Sequence, residues 1–352
     1  HVSSVAAATL SGGPERRLAQ LRRWWSSPRT PWRIPSAAMW VQTKNAWIYD
    51  IALGGRALPR IWPRVAGVTT LAVISSYAYH HLPHFHFSLT TTPFTLIGVP
   101  LGIFLGFRNS ASYDRFWEGR KLWGALVNTT RSLARQITTF IVAPEGASPE
   151  EHAAVRQEQE RLVRMVVAYV HAFRHHLRDQ DARLGLDEVL TAEELAAIAP
   201  HENVPIALLG LLGEHFLAAR RRGLVHMYHA PILEQSLVSL TDVQGACERI
   251  KTTPIPYSYT VLMHRIVGSY CALLPFGTAE ALGWASVAVV AFVSYALLGL
   301  DSIGDELEQP FGLDPNDLAL FAISRTIEIN LLRRIDATEV PAPAKPHRGI
   351  LA

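Results

Sequence analysis

The chain has 352 residues, 49% of them hydrophobic, and a formal net charge of +3. So small a charge excludes a protein that binds nucleic acid through a strongly basic surface, and the positive mean hydropathy favours a membrane protein. The two cysteines, Cys247 and Cys271, lack metal-site spacing. Their number and spacing imply neither a disulfide framework nor a zinc site, and both are expected to be packing residues.

The N-terminal residues 1–38 are rich in Arg, Ser, Ala and Pro, and they contain no methionine. No apolar run among them is long enough for a signal peptide. We interpret this stretch as a disordered extension or as vector-derived residues, with Met39 as the natural start.

Two long stretches carry no Lys or Arg, one between Arg64 and Arg108 and the other between Arg265 and Arg325. Each stretch has room for two spans of roughly 20 residues, so each predicts a membrane hairpin. The predicted spans are residues 62–79, 94–107, 256–278 and 281–301. Because basic residues crowd both flanks of the first gap, the positive-inside rule places those flanks in the cytoplasm.

Four histidines, His80, His81, His84 and His86, lie in or beside the predicted loop between the first two spans. Imidazole clusters bind zinc and change charge near pH 6, so the group is a candidate metal site or pH sensor. The alternative is that these side chains are merely solvated.

The second span contains two stripes that repeat every four residues: Gly98, Gly102 and Gly106, and Val99, Ile103 and Phe107. At 3.6 residues per turn each stripe stays near one face, and the two faces are about 100° apart. Glycines allow close helix approach in a bilayer, so a ring of such helices would turn the apolar stripe toward a shared axis. The pattern predicts a narrow hydrophobic pore. The alternative is an ordinary packing surface.

No turn signal separates this span from the charged, aromatic sequence that follows, so one helix is predicted to continue into water as far as Glu118. Residues 108–255 read as a polar helical region. Ser148 predicts a helix start, Thr191 and Glu194 have capping-box spacing, and Gly223 is expected to end a helix.

Charge recurs early in the third span, where His264 and Arg265 lie. Charged groups are costly inside a bilayer, so we expect Arg265 to extend toward the cytoplasmic surface. After the fourth span, residues 302–335 include a further amphipathic segment. Residues 336–352 contain three prolines and are expected to form a flexible tail.

Four segments together resemble the bestrophin family, and they occur in the family's order. They are Val99-Pro-Leu-Gly-Ile-Phe-Leu-Gly-Phe107, Asp114-Arg-Phe-Trp-Glu-Gly-Arg-Lys-Leu-Trp-Gly124, Pro231-Ile-Leu-Glu-Gln-Ser236 and Gln309-Pro-Phe-Gly312. The first is similar to the family's pore neck, the second to its cytosolic helix and the third to its aperture. The fourth precedes an acidic segment, as it does in the family.

The resemblance covers about residues 39–335 as a single bestrophin-like channel domain. It implies an all-α membrane protein with four transmembrane helices per subunit and a large cytosolic helical region. It further implies a homopentamer in the bilayer of the bacterial inner membrane, with both termini cytoplasmic and one ion path on the fivefold axis. Val99, Ile103 and Phe107 would line the neck and Ile232 the aperture. A buried core position is the alternative for Ile232.

Chloride is the favoured permeant ion by this resemblance, and a sodium or potassium channel of the same fold is the alternative. Arg108 would favour anions if it faced the path, whereas Asp114 and Glu118 would favour cations. A carrier would show repeats with a charged midplane site, and an enzyme would show a catalytic motif. The sequence shows neither, so we expect no enzymatic activity and no required cofactor.

Asp314 and Asp317 fall on positions similar to the calcium clasp of calcium-regulated bestrophins. The unbroken run of carboxylates is missing, since the segment reads Leu313-Asp-Pro-Asn-Asp317. Calcium takes six to eight oxygen ligands, so two carboxylates would need many backbone partners. Surface or helix-terminal acids are the alternative interpretation.

Overall fold

The structure is a computed structural model that describes residues 39–40, 57–82, 89–314, 316–345 and 350–351. Within these residues the chain forms nine α-helices and a short 3-10 turn at Leu186–Glu188. The helices are α1 (Ala57–His81), α2 (Thr92–Phe140), α3 (Pro149–Leu177), α4 (Ala192–Ile198), α5 (Val204–Arg221), α6 (Ala230–Thr252), α7 (Tyr257–Leu282), α8 (Ala285–Glu308) and α9 (Leu320–Arg334). The expectation for residues 1–38 lies outside the described residues.

Helix α2 connects two groups of helices. Its 49 residues extend over about 74 Å at 1.5 Å per residue. Its first half packs with α7 and α8, and α1 packs against these same two helices; we call these four segments the span bundle. Its second half packs with α3, α6 and α9 in the polar bundle, which also includes α4 and α5. The predicted continuous helix through Glu118 is confirmed, because α2 ends only at Phe140.

The span bundle contains all four predicted spans, and its buried apolar residues come from all four helices. Val65, Leu101, Leu105, Met263, Val267 and Leu298 form its central cluster. The inner ends of the third and fourth predicted spans differ from the helices, since α7 continues to Leu282 rather than residue 278 and α8 begins at Ala285 rather than residue 281. The reversal occurs at Gly283, whose φ of +56° favours glycine, whereas Pro275 is accommodated inside α7.

Among the described residues, α2 and α8 are the helices that are long and apolar enough to cross a membrane. The first and third predicted spans are helical but more polar. Ser75 and Ser76 lie in α1, and His264 and Arg265 lie in α7.

Stacked aromatic rings form the centre of the polar bundle. The rings of Trp123 and Phe173 are 5.6 Å apart and nearly parallel, and Tyr169 stacks on Phe173 at 6.0 Å. All three side chains are fully buried. Such offset stacks add to the free energy gained from burial alone.

The local predictions for the polar bundle are confirmed. Ser148 forms a capping box with Glu151 at the start of α3, and Thr191 forms one with Glu194 at the start of α4. Gly223 has a φ of +76° directly after α5, as expected of a residue that ends a helix.

Cys247 and Cys271 are buried free thiols, in agreement with their predicted packing roles. Residues 337–345 form neither helix nor strand. Near the end of the chain, Ile350–Leu351 pairs antiparallel with Met39–Trp40.

Candidate functional site

The predicted neck residues lie on an outward face of α2. Val99, Ile103 and Phe107 are 64%, 54% and 65% exposed in the single chain. Eight residues separate the first from the last, so the stripe is about 12 Å long. Three large apolar side chains in a row on a membrane helix require either lipid or another protein surface against them.

The opposite face of α2 is the one that packs within the chain. Leu101, Leu105 and Arg108 are almost fully buried. By helical geometry they lie about 170° round the helix from the stripe. The packing of one subunit therefore leaves the whole neck stripe available to a pore or to a neighbouring copy.

Arg108 does not lie on the exposed stripe face, because it is held by two carboxylates of α8. Its Nη1 donates to Asp301 Oδ1 at 2.7 Å, and its Nη2 donates to Asp305. His264 of α7 completes the group, with its Nε2 3.2 Å from Asp305 Oδ2 and 3.4 Å from Asp301 Oδ2. The charge of Arg108 is neutralised within the chain, and its ion pairs join α2, just after Phe107, to α8.

The neck face continues below Phe107 with polar residues. Ser110, Asp114 and Lys121 are exposed, and the period of the helix keeps them on the same side as the stripe. Glu118 lies on the same side by this period, but it accepts a hydrogen bond of 2.7 Å from Arg249. Between Phe107 and Lys121 this side of α2 thus carries two acids and one base, and the acid Glu118 is paired with Arg249.

The three glycines differ in their surroundings. A Cβ at Gly98 would lie 2.8 Å from the Tyr270 hydroxyl, so this glycine allows α7 to approach α2. A Cβ at Gly102 or Gly106 would meet no other atom within 4 Å. These two form an open edge beside the stripe, and their packing against another helix stays a prediction.

The predicted aperture residue, Ile232, is 43% exposed in the first turn of α6. Its N–H donates to the His229 carbonyl at 3.1 Å. The His229 ring stacks on Phe140, the last residue of α2, with 4.2 Å between ring centroids. The C-terminal end of α2 therefore contacts the segment that leads into Ile232, and nothing in the sequence pattern indicates this contact.

Arg115 is a second connection that sequence reasoning missed. Its Nε donates to the Glu308 carbonyl at 3.0 Å, and its Nη1 donates to the Thr253 carbonyl at 2.6 Å. Its Nη2 donates to the Ile250 carbonyl. One guanidinium of α2 thus caps the C-terminal ends of both α6 and α8, whose last carbonyls lack helical partners.

The two clasp-like aspartates have different environments. Asp314 is exposed, whereas Asp317 is buried and its Oδ2 accepts the Asp314 backbone N–H at 2.6 Å. Burial raises the pKa of Asp317 to about 7. Its Oδ2 is used by the backbone, whereas its buried Oδ1 has no hydrogen-bond partner among the described residues. Two carboxylates alone supply fewer than the six to eight oxygens that calcium takes, and calcium binding at this pair stays a prediction.

The histidine group is only partly described, because His84 and His86 lie outside the described residues. The Nδ1 atom of His80 lies 2.8 Å from the Ser76 carbonyl, and its ring stacks on Trp284. The ring of His81 contacts Tyr77. Among the described residues, a cluster with metal-site spacing is found elsewhere: the ligand atoms of His264, Asp301 and Asp305 all lie within 4.8 Å of one another. Arg108 already supplies the positive charge at that cluster.

The chain is similar to several known proteins. A family model described as bacterial/fungal bestrophin protein matches residues 39–333. A voltage-dependent anion channel-forming protein of Ralstonia nicotianae is 39% identical over 278 residues, which are 79% of this chain and 88% of that protein. The voltage-dependent anion channel-forming protein YneE of Escherichia coli is 34% identical over 311 residues, covering 88% and 98% of the two chains. A crystal structure of a bestrophin homologue from Klebsiella pneumoniae superposes with a TM-score of 0.73 at 34% identity, covering 79% of this chain and 100% of that one.

Proposed function

Because this chain belongs to the bacterial and fungal bestrophin family, we propose that it is an ion channel that passes small monovalent anions, with chloride as its main permeant ion. The names of its anion channel-forming relatives support the ion class. The observation that carries the proposal is the neck stripe, which is exposed on a membrane helix whose opposite face is packed. A channel needs no catalytic group, so we propose no enzymatic activity.

We propose a homopentamer in the inner membrane, with four transmembrane helices per subunit and both termini in the cytoplasm. Helices α1, the first half of α2, α7 and α8 would be the spans, and the polar bundle would lie in the cytoplasm. Five α2 helices would place Val99, Ile103 and Phe107 in three stacked rings. The open edge at Gly102 and Gly106 would allow neighbouring α2 helices to approach.

Three apolar rings within about 12 Å hold water weakly, so the neck would empty of water and block ions when narrow. A slight widening would admit water and ions. Ile232 would form a second apolar ring on the cytoplasmic side. A narrow ring of low polarity would select ions by the ease with which they lose their hydration water. Phe140 and His229 would couple the two constrictions, because they join the end of α2 to the start of α6.

We propose that conduction requires no cofactor, including calcium. This proposal is supported by the buried position of Asp317 and the exposed position of Asp314. Titration of the purified protein with calcium should leave both its melting temperature and its single-channel current unchanged. A rise in either with micromolar calcium would contradict the proposal.

Planar bilayer recording of the purified protein tests the main function. A chloride gradient across the bilayer should give a reversal potential of the sign set by anions. Ile103→Ala should change conductance or gating, because it removes most of one apolar ring. The matched control is Ile74→Ala, which shortens an exposed isoleucine on α1 away from the stripe. Identical currents from both variants would exclude Ile103 from the neck.

A monovalent cation channel is the second candidate function, and one observation favours it. Arg108 is neutralised by Asp301 and Asp305, whereas Asp114 is exposed on the neck face. An unneutralised ring of Asp114 carboxylates would attract sodium or potassium. The sign of the reversal potential under a potassium chloride gradient distinguishes the two candidates.

A further inference from the structure

Arg265 on α7 is a charged residue on the surface of the span bundle, with no partner in the described part of the chain. It is exposed, and among the described residues no hydrogen bond or ion pair involves its guanidinium. The adjacent His264 is engaged by Asp301 and Asp305. Consecutive helix residues point about 100° apart, so Arg265 faces a different direction from that group.

Two tyrosine contacts give the depth of Arg265. The Tyr259 hydroxyl donates to the Phe104 carbonyl at 3.4 Å, and the Tyr270 hydroxyl donates to the Phe94 carbonyl at 3.4 Å. Since α7 and α2 run antiparallel, Arg265 lies between these contacts, level with about Val99. It is also about 12 Å along α7 from the first residue of the helix. An arginine at this depth in a membrane requires a counter-ion or water.

The predicted spans offer no carboxylate at that level. The sequence contains no Asp or Glu between Asp50 and Asp114, and only Glu280 between Glu248 and Asp301. Glu280 is fifteen residues beyond Arg265 on α7, about 22 Å away along the helix. A neighbouring subunit at the same height in the membrane therefore cannot neutralise Arg265 from its predicted spans.

A groove between α7 and the start of α2 adjoins Arg265. It is a cavity of about 340 Å³, and its lining includes Leu89, Phe94, Ile97, Ser269 and Leu273. All of these residues lie on the side of Arg265 away from the polar bundle. The site thus combines one cation at the end nearer the polar bundle with a largely apolar channel extending from it. That shape and polarity fit an amphiphile with an anionic head and an acyl tail.

We propose that Arg265 and this groove bind an anionic phospholipid from the leaflet on the polar-bundle side. The phosphate would lie against the guanidinium, and an acyl chain would extend along Ile97, Ser269 and Leu273. The lipid would supply the counter-ion that the protein lacks, because a phosphate accepts charge-assisted hydrogen bonds from a guanidinium. The proposal requires that the span bundle lies in a bilayer, but not that the pore conducts.

The test compares the protein in nanodiscs of phosphatidylcholine alone with nanodiscs that also contain phosphatidylglycerol. The anionic lipid should raise the melting temperature of the unaltered protein, and native mass spectrometry should detect it bound after extraction. Arg265→Gln should abolish both effects, whereas Arg265→Lys should keep a smaller shift. The control is Arg156→Gln, which removes an exposed arginine from α3 in the polar bundle and should keep the full shift.

A second variant separates the groove from the charge. Ser269→Phe would fill the groove and leave Arg265 intact, so it should reduce lipid retention. Free glycerol phosphate should not replace the lipid, because it has no acyl chain. Equal phosphatidylglycerol retention by unaltered protein and Arg265→Gln would overturn the proposal. Equal stabilisation of the unaltered protein by the two nanodisc types would also overturn it. A loss of subunit assembly in Arg265→Gln that is the same in the two nanodisc types would overturn it as well.

Discussion

Arg108 and Asp301 form a buried ion pair, 2.7 Å from Nη1 to Oδ1, on the side of α2 that faces away from the neck stripe. The pair lies where the neck helix crosses the end of α8, and Asp305 and His264 extend it. Arg108, one position after Phe107, therefore holds α2 against α8, and its charge does not lie on the exposed face of α2.

Removing the Arg108 guanidinium should destabilise the protein strongly. Arg108→Gln would leave two carboxylates near each other without their cation, and breaking a buried pair in this way costs about 3–5 kcal/mol. We expect a large fall in melting temperature in detergent. The double variant Arg108→Gln, Asp301→Asn should recover part of it. If Arg108→Gln kept its stability but altered ion selectivity, Arg108 would have to face the ion path.

Asp114 should influence ion selectivity more than any other acid on α2. It is exposed on the neck face, two turns beyond Phe107. Asp114→Asn removes a negative charge from each subunit, so the permeability ratio of chloride to potassium should rise. Glu118→Gln is the control, because the charge of Glu118 is already paired with Arg249. Reversal potentials that shift equally in the two variants would contradict the placement of Asp114 near the path.

The three glycines of the second stripe should respond differently to added side chains. A methyl group at Gly98 would collide with the Tyr270 hydroxyl, and such overpacking costs about 1–3 kcal/mol of subunit stability. Gly102→Leu and Gly106→Leu should leave the fold of the subunit intact, because the space around both is open. They should instead reduce the fraction of assembled oligomer seen by native mass spectrometry. Full assembly of both leucine variants would show that this edge does not meet a neighbour.

Arg115 should be required for stable packing between the two bundles. Its guanidinium caps the carbonyl ends of α6 and α8, and hydrogen bonds from a charged donor contribute about 1.5–3 kcal/mol each. Because the bonds are not additive, we expect Arg115→Ala to lower stability by about 2–4 kcal/mol in denaturant titration. Arg120→Ala is the control, since Arg120 is exposed on the same helix. Equal midpoints for the two variants would exclude this capping role.

Features encoded in neighbouring residues were predictable from the sequence, and those that depend on distant partners were not. The caps at Ser148 and Thr191 are local, so their residue spacing was sufficient. The outward position of the neck stripe followed from helical period. The direction of Arg108 depends on Asp301, which is 193 residues away, and no local pattern contains that information. Arg115 binds backbone carbonyls, which every residue possesses, so its partners carry no sequence signal.

The stability of the polar bundle should fall as the pH falls below about 6.5, the ordinary pKa of histidine, with His175 contributing to the loss. His175 is buried, its Nδ1–H donates to Gln180 at 2.8 Å, and its Nε2 accepts from Arg174 at 2.6 Å. Burial and the charge of Arg174 lower the pKa of His175 to about 4. The unfolded chain therefore takes up a proton first, so stability is fully present above pH 6.5 and decreases toward pH 4.

Melting temperatures between pH 7.5 and pH 4 measure this contribution of His175. His175→Gln cannot be protonated in this range, so its melting temperature should depend less on pH than that of the unaltered protein. His201→Gln replaces an exposed histidine and should keep the original slope. A slope that is the same in all three proteins would mean that His175 takes up its proton equally in the folded and unfolded chains.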